Sequence, residues 1–232
     1  MGVYNSIPLD STVSPGEMVD ISVSLQAPTL PGDYRGNFKL RDQRFNRFGT
    51  GLNADNPIWV EIEVQDTQQI AYDFSANLCN AYWVGSGGAL TCPAVEGDPN
   101  GYMLGLSTAL LEDGSLDPRP AILTAPQNVE NGYIIGIFPE HQVQTGEHFQ
   151  ATVSCEKSAA DCQVVLRLDY QINYGTIQTI WSILEKNEGL SYSADVDLSS
   201  LAGQNVKFIL TTFAAGSPTD DKALWIAPRI VR

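Results

Sequence analysis

Hydrophobic and polar residues alternate along most of the chain, and this period of two predicts β-strands. In the first third, alternation runs through Val19–Leu25, Tyr34–Leu40 and Ile58–Val64. Successive side chains of a strand point to opposite sides, so each segment predicts a strand with one buried face. A Pro/Gly turn at 27–32 and a Gly/Asn-rich loop at 44–56 separate them. We therefore expect three strands before residue 65.

The same alternation resumes after residue 70 in many short segments separated by turns. The segments predicted as strands are 149–155, 164–170, 177–183, 190–196, 206–210 and 223–230. One short helical turn is expected at 199–202, with Asp197 or Ser199 as its cap and Gly203 as its stop. Short strands without an extended helical period predict an all-β fold of antiparallel β-sandwiches, the second of them jelly-roll-like. The polar stretch 65–69 places the boundary between two domains, 1–66 and 67–232.

The charge balance excludes some classes of partner. The chain has 232 residues, with 13 basic and 27 acidic side chains and a net charge of −14. Nucleic-acid binding requires Lys and Arg to neutralise phosphates, and anionic lipid requires basic patches, so we expect neither partner. No stretch approaches the ~18 apolar residues of a membrane helix, which predicts no membrane insertion. No signal peptide is present in the sequence either, so an export signal is expected upstream.

Four cysteines point to disulfides rather than to a metal site. Twelve residues separate Cys79 from Cys92, and six separate Cys155 from Cys162. Neither spacing is C-x-x-C and the chain has two histidines, so zinc and thioredoxin-type sites are poorly supported. Of the three pairings that four cysteines allow, we predict the local one, Cys79–Cys92 and Cys155–Cys162. Disulfides imply an oxidising compartment, and hence an extracellular or cell-surface protein.

The first third of the chain resembles a known Ig-like family. The matching elements are Val13–Gly16, Val19–Val23, Ala27-Pro28, Gly32–Gly36, Leu40–Asp42, Phe48-Gly49 and Trp59–Val64. Together they resemble the C-terminal part of the Ig-like domain in the autophagy receptor next to BRCA1, the four-tryptophan domain, which also occurs in bacterial surface proteins. The chain opens where that domain would be half built. The resemblance therefore implies a truncated Ig-like unit from a larger modular protein, with unpaired strands through which a homodimer could form.

The end of the chain resembles a second family. Asp197–Gln204, the strand around Val206–Leu210, and the closing segment Asp221–Ile226 are similar to the end of galactose-binding-like jelly rolls. Residues 70–232 as a whole resemble a module of extracellular multi-domain proteins of environmental bacteria such as the Chloroflexi. The resemblance implies a jelly-roll sandwich for 67–232 and leaves its ligand undefined.

Aromatic residues are the best candidates for binding a ligand. Sugar rings stack on Trp and Tyr side chains held on a β-surface, while polar side chains contact the hydroxyl groups. Tyr82 and Trp83 lie in the loop that Cys79–Cys92 would close, and Tyr102 follows ten residues beyond it. Arg119 is the only basic residue between 73 and 156; it is expected to pair with an acid or to contact a sugar hydroxyl or carboxylate. Packing in the core is the alternative for the aromatic residues, and it is the prediction for Trp181 and Trp225.

Loop carboxylates favour calcium over catalysis. Glu112-Asp113 with Asp117, and Asp220-Asp221, have the residue types of a glycosidase pair, but they lie in Gly/Pro/Ser turns where Asp bonds to the local backbone. Calcium takes six to eight oxygen ligands, including backbone carbonyls. A structural Ca²⁺ is therefore expected either at the 96–101 loop through Asp98 or between Asp73 and Asp221.

Catalysis finds no other support in the sequence. His141 and His148 lie in turn or strand-edge contexts, and no G-x-S-x-G motif occurs. We expect a non-enzymatic extracellular ligand-binding module, with a glycan or another surface protein as partner. A structural or adhesive spacer without a small-molecule ligand is the alternative, and an unrecognised hydrolase is a third hypothesis. Exposed aromatic residues beside polar groups would favour the first, and a featureless acidic surface the second.

Overall fold

The computed structural model describes residues 12–14, 16–28, 32–64 and 68–232. The chain divides into two compact units, residues 1–67 and 68–232. This division lies one residue from the boundary expected from the sequence, although residues 65–67 themselves are outside the described ranges.

In the part of the first unit that the structure describes, there are two antiparallel strand pairs. Strand β1 (Gly32–Phe38) pairs with β4 (Ile58–Val64), so that Gly32 opposes Val64 and Phe38 opposes Ile58. Two shorter strands, β2 (Leu40–Arg41) and β3 (Arg47–Phe48), also pair with each other. The strands predicted at 34–40 and 58–64 are confirmed, and the loop predicted between them contains the short β3.

The strand predicted at 19–25 does not form, so that prediction was wrong. Residues 16–28 contain no strand, and Val19, Ile21 and Val23 are 42%, 44% and 37% exposed. Alternation buries one face only where a neighbouring strand pairs with the backbone and a second layer covers the side chains. Neither contact is made to this segment within the described residues. Part of the turn predicted at 27–32, residues 29–31, lies outside those residues.

The second unit holds fourteen strands. In chain order they are β5 (Ile70–Asp73), β6 (Tyr82–Gly85), β7 (Gly88–Leu90), β8 (Gly101–Leu106), β9 (Ala109–Leu110), β10 (Leu116–Asp117), β11 (Ala121–Pro126), β12 (Tyr133–Gln142), β13 (His148–Cys155), β14 (Gln163–Ile172), β15 (Gln178–Lys186), β16 (Tyr192–Asp197), β17 (Asn205–Ala214) and β18 (Ala223–Val231). Short 3₁₀ turns occur at Leu78–Asn80 and Ser199–Leu201, the second within the predicted helical turn.

These strands form an antiparallel β-sandwich. The first sheet has the order β16-β13-β18-β11-β8, with β5 also paired to β18, and the second has the order β15-β14-β17-β12-β6-β7. Strands β9 and β10 form a separate hairpin. Sequential neighbours are rarely adjacent in the sheets, and such crossing between two sheets is typical of jelly-roll-like sandwiches. The expected all-β sandwich architecture is confirmed.

The facing sides of the two sheets form the main core. Alternate residues point inward from each strand, as in Phe149, Ala151 and Val153 on β13 and Val164, Leu166 and Leu168 on β14. Six large aromatic side chains lie within this core at 0–1% exposure: Phe74, Trp83, Phe138, Phe149, Phe208 and Trp225. Several of their rings meet edge to face, including Phe74 and Phe138 at 4.8 Å, a favoured aromatic geometry.

A second cluster covers the outer side of the first sheet. Leu123, Leu224 and Ile226 point outward from β11 and β18, and they pack with Tyr102 and Ala109. Partly buried residues from the same stretch of chain pack against them: Ala94, Leu104, Leu106 and Leu111. Ala94, Ala109 and Leu111, which lie outside the first sheet, therefore cover its outer side.

Both predicted disulfides are confirmed. Cys79 is bonded to Cys92 and Cys155 to Cys162, over sequence separations of 13 and 7 residues. The first joins the 3₁₀ turn before β6 to the segment after β7. The second joins the end of β13 to the start of β14.

A bulge alters the alternation of β15. Leu168 opposes Trp181, but the next residue, Asp169, opposes Thr179. Trp181 and Ile183 therefore face the core, whereas Ile177 is 52% exposed. The sequence prediction of one continuous inward face from Ile177 to Ile183 was wrong at its first half, because a bulge shifts the phase of a strand by one residue. The core positions predicted for Trp181 and Trp225 are confirmed.

Candidate functional site

The outer side of the second sheet is formed by the residues that alternate with its core. On β14, Leu166 and Leu168 face the core, so Arg167 and Asp169 face outward. Cross-strand pairing then places Thr211 of β17 beside Arg167 and Phe213 beside Val165. We call this surface the Arg167 face and define it by the following outward residues: Tyr82, Val84, Tyr133, Ile135, Ile137, Val165, Arg167, Asp169, Thr179, Ile209, Thr211 and Phe213.

A buried carboxylate holds an exposed arginine at the middle of the Arg167 face. Arg167 donates from Nη2 to Asp169 Oδ2 at 2.8 Å and from Nε to Oδ1 at 3.1 Å. Thr179 Oγ1 donates to Oδ1 at 2.6 Å, and Thr211 Oγ1 donates to Oδ2 at 3.0 Å. Asp169 is only 1% exposed although it faces outward. The bulge at Asp169 is what brings Thr179 opposite it.

This network fixes the direction of Arg167. Both carboxylate oxygens accept several hydrogen bonds, so the Arg167 guanidinium is held in one orientation by a fork of charge-assisted bonds. About a third of the arginine side chain is exposed, against 2% of the Asp169 side chain. Among the described residues, no hydrogen bond engages Nη1 of Arg167. The pair therefore presents arginine N–H donors to solvent with its positive charge largely compensated.

Aromatic rings border this arginine. The guanidinium carbon lies 5.1 Å from the centre of the Phe213 ring, and the rings of Phe213 and Tyr133 lie 6.2 Å apart. Tyr82 is 59% exposed and stands beside Ile137 toward the β6 side of the sheet. The face is consequently polar on β14 and β15 and apolar to aromatic on β12 and β6. Rigid rings next to oriented hydrogen-bond donors are the features that bind polar ligands with apolar faces.

A second exposed tyrosine lies farther along the same sheet. Lys207 Nζ is 4.3 Å from the centre of the Tyr174 ring, and Tyr174 is 83% exposed. Lys207 precedes Thr211 by four residues along β17, which is about 13 Å of extended strand. Tyr174 has a φ of +59° and its neighbour Asn173 a φ of +49°; positive φ is uncommon for residues other than glycine.

The predicted pair Tyr82-Trp83 is divided between the two sides of β6. Tyr82 faces outward, but Trp83 is 1% exposed and donates from Nε1 to the Leu78 carbonyl at 2.8 Å. Adjacent residues of a strand point in opposite directions, so the two rings cannot form one platform. The expected exposure of Trp83 is therefore corrected, and Tyr82 alone remains available to a ligand.

Tyr102 is also buried rather than exposed. It is 6% exposed and belongs to the cluster that covers the first sheet. Burial, followed by the charges of Glu96 and Glu156, raises the pKa of its hydroxyl. Its ring has no free face for a ligand, so the expectation of an exposed Tyr102 is corrected.

Arg119 lies on the opposite side of the sandwich from Arg167. Its Nη2 donates to Asp117 Oδ2 at 2.6 Å and to Thr152 Oγ1 at 3.1 Å. Thr152 points outward from β13 of the first sheet, because Ala151 and Val153 face the core. The ion pair expected for Arg119 is thus formed, and the structure does not bring it together with Tyr82.

The calcium site expected between Asp73 and Asp221 is wrong. Asp73 opposes Arg229 near the end of β18, whereas Asp221 lies two residues before Ala223, at its start. Ala223 and Arg229 are six positions apart in β18, which is roughly 20 Å of extended strand. Asp73 Oδ1 accepts a hydrogen bond from the Ala76 amide, and Asp221 Oδ1 accepts one from the Gln163 amide. Asp73 is thus engaged within its own turn, whereas Asp221 contacts the start of β14 and its Oδ2 is buried without a hydrogen-bond partner.

Asp98 lies in a turn at the edge of a small cavity. Its Oδ1 accepts hydrogen bonds from the backbone and side-chain nitrogens of Asn100, at 2.9 and 3.2 Å. The cavity has a volume of about 160 Å³ and is lined by Asp98, Asn100 and the β6–β7 hairpin. Calcium binding at this loop stays a prediction.

The two histidines each contact one acid. His141 Nε2 lies 2.8 Å from Glu147 Oε2, and His148 Nδ1 lies 2.8 Å from Asp195 Oδ1. His141 and Glu147 line a cavity of about 250 Å³ together with Gln69, Gln144 and Arg232. All four cysteines are in disulfides.

Arg167, Asp169, Phe213 and Tyr133 were not singled out from the sequence. A usable signal exists, because Arg167 and Asp169 are charged residues at i and i+2 on a strand whose alternate residues are leucines. Two opposite charges at this spacing lie on the same side of a strand. The contributions of Thr179, Thr211 and Phe213 come from other strands, and no local pattern marks them.

The first part of the chain matches a known family. Residues 4–64, about a quarter of the chain, match the family of the Ig-like domain from next to BRCA1 gene. No curated protein matches the sequence. Among the described residues, no helix is long and apolar enough to cross a membrane.

Similar solved structures include several carbohydrate-binding modules. One, from a study of carbohydrate-binding modules of the β-sandwich superfamily, has 8% identity and a TM-score of 0.43, and the match covers 86% of this chain and 74% of that one. TmCBM61 in complex with β-1,4-galactotriose has 8% identity and a TM-score of 0.42, over 71% and 99% of the two chains. CBM51 from Clostridium perfringens GH95, in complex with methyl-galactose, has 12% identity and a TM-score of 0.37, over 54% and 79%.

Proposed function

We propose that residues 68–232 form a non-catalytic carbohydrate-binding module whose ligand lies on the Arg167 face. The observation that carries the proposal is the Arg167–Asp169 pair, in which a carboxylate 1% exposed orients a partly exposed guanidinium beside the Phe213 ring. A sugar has hydroxyl groups around its edge and C–H groups on its faces. Oriented N–H donors suit the former and aromatic or aliphatic side chains suit the latter.

The charge of the face favours a neutral glycan over a highly acidic one. Asp169 largely compensates the charge of Arg167, and Glu140 lies 4.0 Å from Lys207. The chain as a whole carries a net charge of −14, which repels polyanions at long range. Tyr82, at the β6 side of the face, is the second residue to which we assign a role in ligand binding.

We place the module in an extracellular or surface protein of a bacterium. Its two disulfides persist only in an oxidising environment, so they support a location outside the cytoplasm. The preceding Ig-like unit fits a multi-domain chain of binding and spacer units.

A glycan-array screen of the whole chain, run with calcium and again with EDTA, tests this function. Arg167→Ala should weaken binding to any glycan found by about 10- to 100-fold, since it removes charge-assisted hydrogen bonds. Arg119→Ala is a matched control, because Arg119 also pairs with an acid two residues away but lies on the other side of the sandwich. Isothermal titration calorimetry with the best glycan gives the dissociation constants.

Three outcomes would count against the proposal in different ways. Equal losses in the two arginine variants would remove the Arg167 face as the site. Binding that disappears only with Arg119→Ala would move the site to the first sheet. An array that shows no binding under either condition would favour a structural or adhesive spacer. A separate result, binding that is lost in EDTA, would leave the proposal intact and support calcium at the Asp98 loop.

A further inference from the structure

Two glutamates meet inside one end of the sandwich. Glu112 follows β9 in the β9–β10 hairpin, and Glu185 lies near the end of β15. They are 6% and 0% exposed, respectively. An oxygen of each carboxylate and the sulfur of Cys155 lie within 4.8 Å of one another. The two glutamates are 73 positions apart in the sequence, so this proximity is a product of the fold.

One oxygen of each carboxylate is anchored and the other is not. Glu112 Oε1 accepts hydrogen bonds from the backbone amides of Leu190 at 2.5 Å and Glu188 at 3.1 Å. Glu185 Oε1 accepts one from the amide of Cys155 at 3.2 Å. The two Oε2 atoms are buried and have no hydrogen-bond partner. The backbone contacts thus hold the two carboxyl groups together while leaving one oxygen on each unsatisfied.

The charged groups around the pair do not neutralise it. Lys157 Nζ donates to the backbone carbonyl of Glu112, not to its carboxylate. Lys186 pairs with Glu188 at 3.1 Å, and Glu188 also accepts a 2.5 Å hydrogen bond from the Tyr192 hydroxyl. Among the described residues, no cationic side chain forms an ion pair with either buried carboxylate. Two buried, unpaired negative charges side by side are strongly unfavourable.

A proton neutralises this site better than a metal ion. Calcium takes six to eight oxygen ligands, whereas the described residues offer two unpartnered carboxylate oxygens, both shielded from solvent. The third atom of the cluster, Cys155 Sγ, is in a disulfide and is not a thiolate ligand. A single proton requires no added volume and converts one unsatisfied acceptor into a donor.

We propose that Glu112 and Glu185 share one proton near neutral pH, so that a neutral Glu185 carboxyl donates to the Glu112 carboxylate and holds this end of the module together. The pair then joins the β9–β10 hairpin, the end of β13 and the β15–β16 connection. The hairpin contributes Glu112 itself, the end of β13 contributes the Cys155 amide, and the β15–β16 connection contributes two amides, those of Glu188 and Leu190.

The local electrostatics agree with this arrangement. Burial first, and then the charge of Glu112, raise the pKa of Glu185 from 4.5 to about 8. Glu188 acts in the same direction, and the hydrogen bond from the Cys155 amide acts against them. A folded-state pKa above the unfolded value gives stability that is complete below about pH 4.5 and is lost as the pH rises through about 8.

Unfolding of the whole chain in urea, measured across this range, tests the proposal. The unfolding equilibrium constant should rise by roughly several hundredfold between about pH 5 and about pH 9 through this pair. Glu185→Gln keeps a neutral N–H donor at every pH, so that this rise should largely disappear. Glu188→Gln is the control. It should keep the rise in the unfolding constant, shifted slightly to lower pH, because it removes one of the negative charges that raise the pKa of Glu185.

Carboxyl ¹³C NMR of the wild-type protein provides a readout that does not depend on a variant folding. One glutamate carboxyl should titrate above neutral pH. If every glutamate titrates below about pH 5, or if Glu185→Gln and wild type lose stability identically with pH, the shared proton is wrong. Stabilisation by added Ca²⁺ that Glu185→Gln abolishes would also overturn it, in favour of a bound cation.

Discussion

Asp169 is the residue on which the Arg167 face most depends. It accepts hydrogen bonds from Arg167, Thr179 and Thr211, which belong to three adjacent strands. Because it is almost inaccessible to solvent, these bonds are not replaced by water when one of them is lost. Asp169 therefore both stabilises the second sheet and orients the arginine.

Replacement of Asp169 by asparagine should show that the Arg167–Asp169 pair contributes more to the free energy of unfolding than an ordinary surface ion pair does. Asp169→Asn removes the charge that compensates Arg167. It also replaces a carboxylate, whose two oxygens both accept hydrogen bonds, with an amide that has one accepting oxygen and one donating NH₂ group. We expect a loss of about 2–4 kcal/mol in the free energy of unfolding and weaker glycan binding. Urea denaturation and calorimetry provide the two measurements.

Asp117→Asn is the matched comparison, because Asp117 pairs with Arg119 at the same two-residue spacing. The Arg119 side chain is 47% exposed, so this ion pair should contribute less than about 1 kcal/mol. Equal destabilisation by the two variants would show that burial of Asp169 has no special consequence.

Single side chains also show where local reasoning was sufficient. Trp181 and Trp225 were expected in the core and pack there with their rings 6.0 Å apart. Trp83 and Tyr102 were expected to be exposed and are not. Each lies in a turn-rich, disulfide-flanked stretch whose polar composition is typical of a surface loop. Their burial depends on which strands they join and on what covers those strands, and the local composition carries neither piece of information.

Strands β6 and β12 are joined through a close contact between Trp83 and a glycine. Trp83 opposes Gly136 in the ladder, and a Cβ at Gly136 would lie 2.6–2.8 Å from the Trp83 ring. Glycine is thus needed here for space, since its absence of a side chain allows the indole to lie flat against the backbone. The Trp83 ring also lies 6.0 Å from Phe138, which carries the contact into the main core.

Gly136→Ala should therefore destabilise the module despite the general preference of strands for residues other than glycine. Overpacking of this kind costs about 1–3 kcal/mol, measurable as a lower urea midpoint. In the double variant with Trp83→Phe, the smaller ring makes room for the methyl group, so the two effects should be less than additive.

Gly105→Ala provides the control on β8. The nearest atom to its added Cβ is the end of the Leu78 side chain, at 3.2 Å, which is able to move aside. This variant should be within about 1 kcal/mol of wild type. A Gly136→Ala protein as stable as Gly105→Ala would contradict the proposed contact.

The pairing of strands also explains why residues 19–25 do not form a strand. Residues 19–25 have as clear an alternation as residues 58–64, yet the latter form β4 because β1 pairs with them residue by residue. The bulge in β15, between the pairs Leu168–Trp181 and Asp169–Thr179, has a similar origin. Alternation predicts which residues share a face, whereas a partner strand decides whether a strand exists and where its phase changes.

The second unit has its own core and its own covalent links. All six large aromatic residues of the main core and both disulfides belong to residues 68–232. At 165 residues the unit is large enough to bury a core that supports independent folding. It also carries most of the acidic excess, with 18 acidic and 8 basic side chains after residue 66.

A protein comprising residues 68–232, produced under oxidising conditions, should fold without the first unit. Its thermal transition should be cooperative and should coincide with the corresponding transition of the whole chain. Differential scanning calorimetry of the two proteins makes the comparison. A fragment that shows no cooperative transition, or one shifted by many degrees, would mean that the first unit stabilises the second.

The sequence was enough to establish the all-β class, the inward-facing residues of most strands and the local disulfides. These features depend on short-range properties: a period of two, turn residues, and cysteines close in the chain. The Arg167 face and the Glu112–Glu185 pair arise only on folding. They combine residues between two and 131 positions apart, and strand order, register and one bulge decide which of them meet. Those properties are set by packing of the whole unit, since a shift of one residue in register turns every side chain to the other face.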